Sequence, residues 1–312
     1  MILGNSHTII AVIKQFVRGA FNAIGYDIHK IPSTPTVQDR REFAKDHVPW
    51  SQGYLQARWQ LVAQAITESE YLERFRSGDK LPDGYGFAID ERCVEYPWVF
   101  SRLSTGMQRL LDAGSTLNHA LLLDHPLITT KRLHILTLFP ESHCYWQRRV
   151  SYIYEDLRDI PIRDEYYDEI VCISTLEHVG MDNTLYGDEN PDQQLPNDYL
   201  LALNELRRVL RRDGRLFLTV PYGRYVNGGS YQQFDSKMVL RVIDSFMPAQ
   251  VETTYYRYSE HGWNIAARER CDDAEYVDWI MKKPPERSEF FPLSHDHAAA
   301  ARAVACLVLT KN

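Results

Sequence analysis

His178 is the residue in this sequence with the clearest potential for proton-transfer chemistry. It follows the apolar run 169–174, which is typical of a buried strand, and it belongs to the segment 174–180. A histidine has an ordinary pKa near neutrality, so it can act as a base toward a weakly acidic hydroxyl. We predict that His178 is a general base at the mouth of a crevice; the alternative is that it only supports the loop after the strand.

Asp182 and His261 are further candidates for a catalytic role. Asp182 follows His178 by a few residues, and His261 lies in 259–263, which we predict to be a loop. The stretch 295–297, His-Asp-His, would place two imidazoles on one face of a strand. Two histidines and an acid without a third spaced ligand are usually a solvated turn, so we predict no catalytic metal.

The elements that must position these residues are short apolar runs that alternate with helical segments. The helical segment 198–210 places its leucines on a single stripe and is followed by an Asp-Gly stop. Strands alternating with helices are typical of a parallel sheet, and such sheets bind ligands at the carboxyl ends of their strands. The predicted strands are 109–114, 134–139, 150–154, 169–174, 215–220, 250–258 and 304–309.

The first thirty residues contain an apolar pattern at helical spacing. Isoleucines, valine and phenylalanines recur from Ile9 to Phe21, with Lys14 and Arg18 between them. This pattern predicts an amphipathic helix packed on its own domain. The alternatives are a helix that lies on a membrane surface or a partner enzyme, and a lid over the site.

A domain boundary is predicted near residue 80. Residues 32–49 combine prolines with many charges, as in a linker, and a second helical pattern runs over 53–75. The stretch that follows is rich in Gly, Pro and Asp. We therefore predict a helical N-terminal extension over 1–80 and an α/β domain over 81–312.

The composition is that of a soluble globular protein, with 44% hydrophobic and 25% charged residues. A net charge of −7 argues against a protein that binds nucleic acid, and the arginines in 207–212 fit the solvated end of a helix. Five scattered cysteines without a Cys-x-x-Cys pair favour a reducing cytoplasm. No apolar run reaches the roughly 18 residues of a membrane span.

Four segments resemble, in order and approximate spacing, the motifs of class I S-adenosylmethionine-dependent methyltransferases. They are 111–118, 154–161, 167–180 and 206–223. The resemblance implies a Rossmann-like sheet that is mostly parallel with an antiparallel last strand. It also implies a methyltransferase with S-adenosylmethionine as its cofactor.

The first segment is similar to the family's glycine-rich turn after the first strand. The resemblance assigns Asp112, Ala113, Gly114 and Ser115 to the cofactor's methionine and ribose parts. The family's later glycines correspond here to Thr116 and Asn118.

The second and third segments imply the remaining cofactor contacts. By resemblance, Asp156 accepts a hydrogen bond from the adenine amino group and the Leu157 backbone lies beside the ring. Ser174 and Glu177 are expected to line the crevice of cofactor and acceptor.

The acid that in this family ends the second strand and binds the ribose hydroxyls has no clear counterpart in 136–141, where Glu141 could reach back from the loop. Together with the altered glycines, this leaves a non-catalytic scaffold with a methyltransferase-like fold as an alternative function.

Three pieces are similar to methyltransferases associated with bacterial surface-polysaccharide synthesis. They are 25–27 (Gly-Tyr-Asp), 91–98 (Glu-Arg at its start and Glu-Tyr-Pro-Trp at its end) and 173–180. The similarity implies O-methylation of a sugar hydroxyl in a glycan or its precursor; another small-molecule acceptor is the alternative. We expect a cytoplasmic protein, peripheral at the inner face of the membrane if its N-terminal helix binds there, and an oligomer is possible.

Overall fold

A computed structural model of the chain describes Phe43 and residues 46–184, 194–277 and 294–312. The predicted helix near Ile9 and most of the predicted linker lie outside these residues. Contacts of that helix with a membrane or a partner enzyme therefore stay predictions.

The described residues contain an eight-stranded sheet in the order β3-β2-β1-β4-β5-β10-β8-β9. β1 to β5 are parallel to one another, β10 is antiparallel to both β5 and β8, and β9 is antiparallel to β8. The fold class predicted from the sequence is confirmed. The strands are β1 Arg109–Ala113, β2 Arg132–Thr137, β3 Ser151–Tyr154, β4 Tyr167–Ile173, β5 Leu210–Pro221, β8 Pro248–Ser259, β9 Gly262–Ala266 and β10 Ala303–Lys311, with a separate two-stranded ribbon of β6 Val226–Asn227 and β7 Gln232–Gln233.

Helices cover both faces of the sheet. They are α1 Tyr54–Thr67, α2 Ser69–Ser77, α3 Arg92–Phe100, α4 Ala120–Leu123, α5 Pro126–Thr129, α6 Tyr199–Val209 and α7 Ser236–Phe246. One core joins α1, α2 and α3 to sheet residues such as Val171 and Phe217. The other core joins α6 and α7 to Ile170 and Leu218. The later parts of β4 and β5 are therefore buried on both faces, which explains the apolar runs 170–173 and 216–218.

The helix predicted over 53–75 is wrong in one respect, because the structure has two helices there. Glu68 has an extended backbone, with φ −79° and ψ 123°, which ends α1 before α2 begins. The Thr67 hydroxyl donates to the Ala63 carbonyl at 2.7 Å, a local bond that competes with continuing the helix.

Both helices belong to the same compact unit as the sheet, which runs from Arg40 to Asn312. The predicted boundary near residue 80, between a helical extension and the α/β domain, stays a prediction. No helix in the part of the chain that the structure describes has the length and apolarity to cross a membrane.

Candidate active site

A cavity of about 320 Å³ lies at the carboxyl ends of β1, β2, β3 and β4. Pockets of this size are within the range that holds small molecules and cofactors. Its wall contains the turn after β1, the loops after β2 and β3, and the exit of β4. This is the edge of the sheet at which the sequence predicted a ligand.

Gly114 brings the turn after β1 against the loop after β4. Its φ is +120°, and a Cβ at this position would lie 2.1 Å from the Thr175 Oγ1. No larger residue fits between these two loops without displacing one of them. Gly114 lines the cavity, as predicted.

Asp112 stabilises this turn through hydrogen bonds. It is fully buried, and its carboxylate accepts hydrogen bonds from the backbone N–H groups of Thr116 and Leu117 and from the Thr116 hydroxyl. Burial raises the pKa of Asp112 to about 7. Of the four residues predicted to contact the cofactor here, only Gly114 lies in the cavity wall. Asp112 and Ala113 are fully buried. The Ser115 hydroxyl is buried and has no hydrogen-bond partner among the described residues.

Asn118, which stands where the family has a glycine, ties the same turn to the segment between β2 and β3. Its amide donates to the His143 carbonyl at 3.0 Å and accepts from the Tyr152 hydroxyl at 2.8 Å. With the Thr116–Asp112 bond, these contacts fix the turn by hydrogen bonding. Thr116 and Asn118, at the positions of the altered glycines, therefore both hold the turn through side-chain hydrogen bonds.

The wall beyond β2 and β3 is acidic. Glu141, Glu155 and Asp156 all line it, together with Leu157. Glu141 thus occupies the region in which the sequence offered no aligned acid. Asp156 forms an ion pair with Arg158, whose Nη2 lies 2.7 Å from its Oδ2. The Asp156 carboxylate accepts from the backbone N–H, the Nε and the Nη2 of Arg158, so an adenine amino group would share this carboxylate with Arg158.

Arg92 and Glu95 of α3 organise the opposite end of the cavity, a role that sequence reasoning did not assign to them. Arg92 lines the cavity and donates through Nη1 to the Glu95 Oε2 at 2.6 Å. Glu95 is fully buried, and its Oε1 accepts from the hydroxyls of Ser174 and Thr219, each at 2.6 Å. The available signal was the i,i+3 spacing of Arg92 and Glu95 on a helix.

His178 lines the cavity after β4. Its Nδ1 lies 2.6 Å from the Ser230 carbonyl oxygen, which can only accept, so Nδ1 carries the hydrogen and Nε2 carries the lone pair. Burial lowers the pKa of His178 to about 4, which keeps the imidazole neutral at neutral pH.

Glu177 lies behind His178 and outside the cavity wall, with its Oε1 4.0 Å from the His178 Nε2. It is buried, and its Oε2 has no hydrogen-bond partner among the described residues. Burial raises the pKa of Glu177 well above its ordinary value.

Residues 136–218 match the family model described as a methyltransferase domain. The strand order given above is that of a Rossmann-like sheet. The fold is that of a class I methyltransferase. The match supports the prediction of an S-adenosylmethionine-dependent methyltransferase. No curated protein matches the chain significantly.

Three solved structures illustrate the likeness to this methyltransferase fold. Burkholderia thailandensis 1,6-didemethyltoxoflavin-N1-methyltransferase, solved with 1,6-didemethyltoxoflavin and S-adenosylhomocysteine, is 12% identical, covering 91% of this chain and 94% of its own, with a TM-score of 0.40. A possible histamine N-methyltransferase from Thermotoga maritima is 10% identical, with coverages of 81% and 100% and a TM-score of 0.43. A methyltransferase from Archaeoglobus fulgidus is 9% identical, with coverages of 78% and 100% and a TM-score of 0.43. At these scores no functional assignment rests on them.

Asp182 and His261 do not line the cavity of this methyltransferase fold. Asp182 is partly buried in the segment after His178, where its carboxylate accepts from the Thr184 backbone N–H at 2.9 Å. His261 is exposed in the two-residue turn between β8 and β9. Their catalytic roles stay predictions without support from this geometry.

Trp263 and the stretch 295–297, which suggested metal binding, have structural roles. Trp263 is fully buried and donates to the Ile89 carbonyl at 2.9 Å, so it offers no free face to a ligand. Asp296 is paired with Arg302 at 2.7 Å. Within the described ranges, His, Cys, Asp and Glu side chains form no group of three suited to a metal ion.

Glu91 gives the protein a testable dependence of stability on pH. It is buried beside Asp90 and Glu95, and burial raises its pKa to about 8. The folded state holds this proton more tightly than the unfolded state, so the free energy of unfolding falls as pH rises from about 4.5 to about 8. In Glu91→Gln, the decrease in the free energy of unfolding over this pH range should be smaller by on the order of a few kcal/mol.

Urea unfolding of Glu91→Gln and wild type at several pH values between 5 and 9 measures this difference. Gln keeps an oxygen that can accept from the Ala301 backbone, as Glu91 does at 3.3 Å. The exposed Glu68→Gln variant is the control. Equal pH slopes for Glu91→Gln and wild type would contradict the prediction.

Proposed function

We propose that this chain is an S-adenosylmethionine-dependent O-methyltransferase that methylates a sugar hydroxyl in a glycan or its precursor. The observation that carries the proposal is His178, which lines the cavity as a neutral imidazole with its lone pair on Nε2. The match of residues 136–218 to a methyltransferase domain supports the methyl-transfer part.

The residues of the cavity fit the cofactor. Glu141, Glu155 and Asp156 offer acceptors to the hydroxyl and amino donors of an adenosine group. Leu136, Leu138 and Leu157 add apolar surface at the same end. S-adenosylmethionine supplies an electrophilic methyl group on a sulfonium, and this site would hold it at the carboxyl edge of the sheet.

The task left to the protein is alignment and removal of one proton. Holding the acceptor hydroxyl beside the bound cofactor would contribute much of the rate gain. The His178 Nε2 would take up the proton that the hydroxyl loses when it is methylated. The Ser230 carbonyl fixes the ring for this transfer by accepting from Nδ1.

The sugar assignment rests on three segments similar to methyltransferases of polysaccharide synthesis, of which 25–27 lies outside the described residues. The other two segments meet in the structure, because the Ser174 hydroxyl donates to the Glu95 carboxylate. Residues of 91–98 and 173–180 thus share one wall of the cavity. A non-catalytic scaffold is less well supported, since Glu141 and the bonded turn after β1 meet the two objections that suggested it.

Two measurements test the proposal in sequence. Isothermal titration with S-adenosylhomocysteine should give micromolar binding, and folded protein that does not bind it would reject the cofactor assignment. Incubation with methyl-labelled S-adenosylmethionine and a panel of nucleotide sugars and lipid-linked saccharides, read by mass spectrometry, should give a product one methyl group heavier. Transfer only to acceptors without a sugar would reject the acceptor class and leave the methyltransferase assignment intact.

A further inference from the structure

The two ends of the cavity carry different charged side chains. Glu141, Glu155 and Asp156 lie at the end formed by the loops after β2 and β3. Arg92 lies in the wall that also contains residues of the β4 exit. Both arginines of the wall are paired with carboxylates, but Arg158 uses Nε, Nη1 and Nη2 for Asp156 and Asp198, whereas Arg92, within the described part of the chain, uses Nη1 alone, for Glu95.

Arg92 is held in place before any ligand arrives. Its partner Glu95 is fully buried and is fixed in turn by the hydroxyls of Ser174 and Thr219, which stand at the ends of β4 and β5. The guanidinium is thus tied to the sheet through one carboxylate. A fixed guanidinium loses little freedom when it binds a second group.

Arg92 also keeps donors for a ligand. A guanidinium has five N–H donors in a planar fork, and Nη1 alone has a hydrogen-bond acceptor among the described residues, the Glu95 Oε2. The side chain is 23% exposed, whereas that of Glu95 is 0% exposed. The remaining donors are suited to a bidentate contact with a carboxylate.

We propose that Arg92 binds the carboxylate of the cofactor's methionine part and so sets the direction in which the cofactor lies. The inference rests on the proposed function. The adenosine part of the cofactor has hydroxyl and amino donors that suit the acidic end, and a carboxylate placed there would meet the like charges of Glu141 and Glu155 beside the Arg158–Asp156 pair. The same carboxylate finds a matching fork at Arg92.

A pair of ligands that differ in this group tests the inference. S-adenosylhomocysteine has the amino acid carboxylate, and 5′-methylthioadenosine has the same thioether adenosine without it. Isothermal titration of wild type should show tighter binding of S-adenosylhomocysteine. In Arg92→Gln that binding should weaken about tenfold to a hundredfold, while 5′-methylthioadenosine binds as in wild type.

Arg158→Gln is the matched control, because Arg158 lines the opposite end of the same cavity. It should change the affinities of both ligands by the same factor. Arg92→Lys keeps the charge without the fork and should fall between Arg92→Gln and wild type for S-adenosylhomocysteine alone.

Removal of Arg92 leaves Glu95 buried without its charge partner, which can destabilise the fold. The double variant Arg92→Gln/Glu95→Gln removes both charges and should show the same selective loss. Equal loss of both ligands in the single and double variants, or unchanged affinity for S-adenosylhomocysteine, would overturn the inference. Wild type that binds both ligands equally overturns it too and leaves the proposed function standing, whereas failure to bind either ligand rejects the cofactor assignment itself.

Discussion

Gly114→Ala is expected to weaken S-adenosylhomocysteine binding by about a hundredfold or more. The new Cβ would lie 2.1 Å from the Thr175 Oγ1 and 2.4 Å from its Cγ2, at a φ of +120° that residues with a side chain rarely adopt. The turn after β1 must then move away from the loop after β4. Both loops form the cavity wall, so the cofactor contacts of each are displaced. Isothermal titration measures the loss.

Gly84→Ala separates this clash from the strain of a left-handed backbone. Gly84 has a φ of +76°, but a Cβ there would meet no atom within 4 Å. It should cost about 1 kcal/mol of stability and leave S-adenosylhomocysteine binding unchanged. Thr175→Gly introduced into Gly114→Ala removes the clashing atoms and should restore part of the affinity. Wild-type binding by Gly114→Ala, with circular dichroism showing a folded protein, would contradict the geometry of this turn.

The fold could be predicted because its signals are local. The later parts of β4 and β5 are buried on both faces, so each appears in the sequence as an apolar run, and the leucine stripe of α6 marks a helix on the sheet. β9 was missed and its region was predicted to be a loop. Its pairing with β8 through a two-residue turn is a tertiary interaction, and the sequence signal was only Gly262, which has a φ of +80°.

The sequence predicted at which edge of the sheet the site lies, but not which side chains face the cavity. The order of the segments placed Gly114, Asp156 and His178 at the carboxyl ends of strands, and all three line the cavity. Spacing cannot tell which neighbour faces inward, so Ala113 and Glu177 were predicted to contact ligands although they lie behind the wall. The Glu95–Ser174 bond joins residues 79 positions apart, a distance over which a single sequence gives no pairing signal.

His178→Ala is expected to lower kcat by about a hundredfold to ten-thousandfold, the usual contribution of a general base. Cofactor affinity should change little, because the loss falls on the proton transfer and not on the contacts that hold the cofactor. His261→Ala and Asp182→Asn test the two other candidates, and each should keep kcat close to that of wild type because both side chains lie outside the cavity wall. A kcat for His178→Ala within a few-fold of wild type would show that the histidine only supports the loop.

The pH dependence of kcat/KM in wild type gives a second, independent measure of the same base. A histidine is active as a base only when neutral, and burial lowers the pKa of His178 to about 4. Protonation of this residue should therefore not reduce kcat/KM until the pH falls toward 4, whereas an imidazole with an ordinary pKa would impose a loss below about 6.5. The free energy of unfolding should also fall with falling pH, because the unfolded chain binds this proton more tightly than the folded protein. The contribution of His178 to stability is lost as the pH falls from about 6.5 to about 4. A wild-type kcat/KM that falls tenfold per pH unit below 6.5, and a His178→Ala variant that lacks this fall, would keep the histidine as base but place it in a more solvated site than the cavity described above.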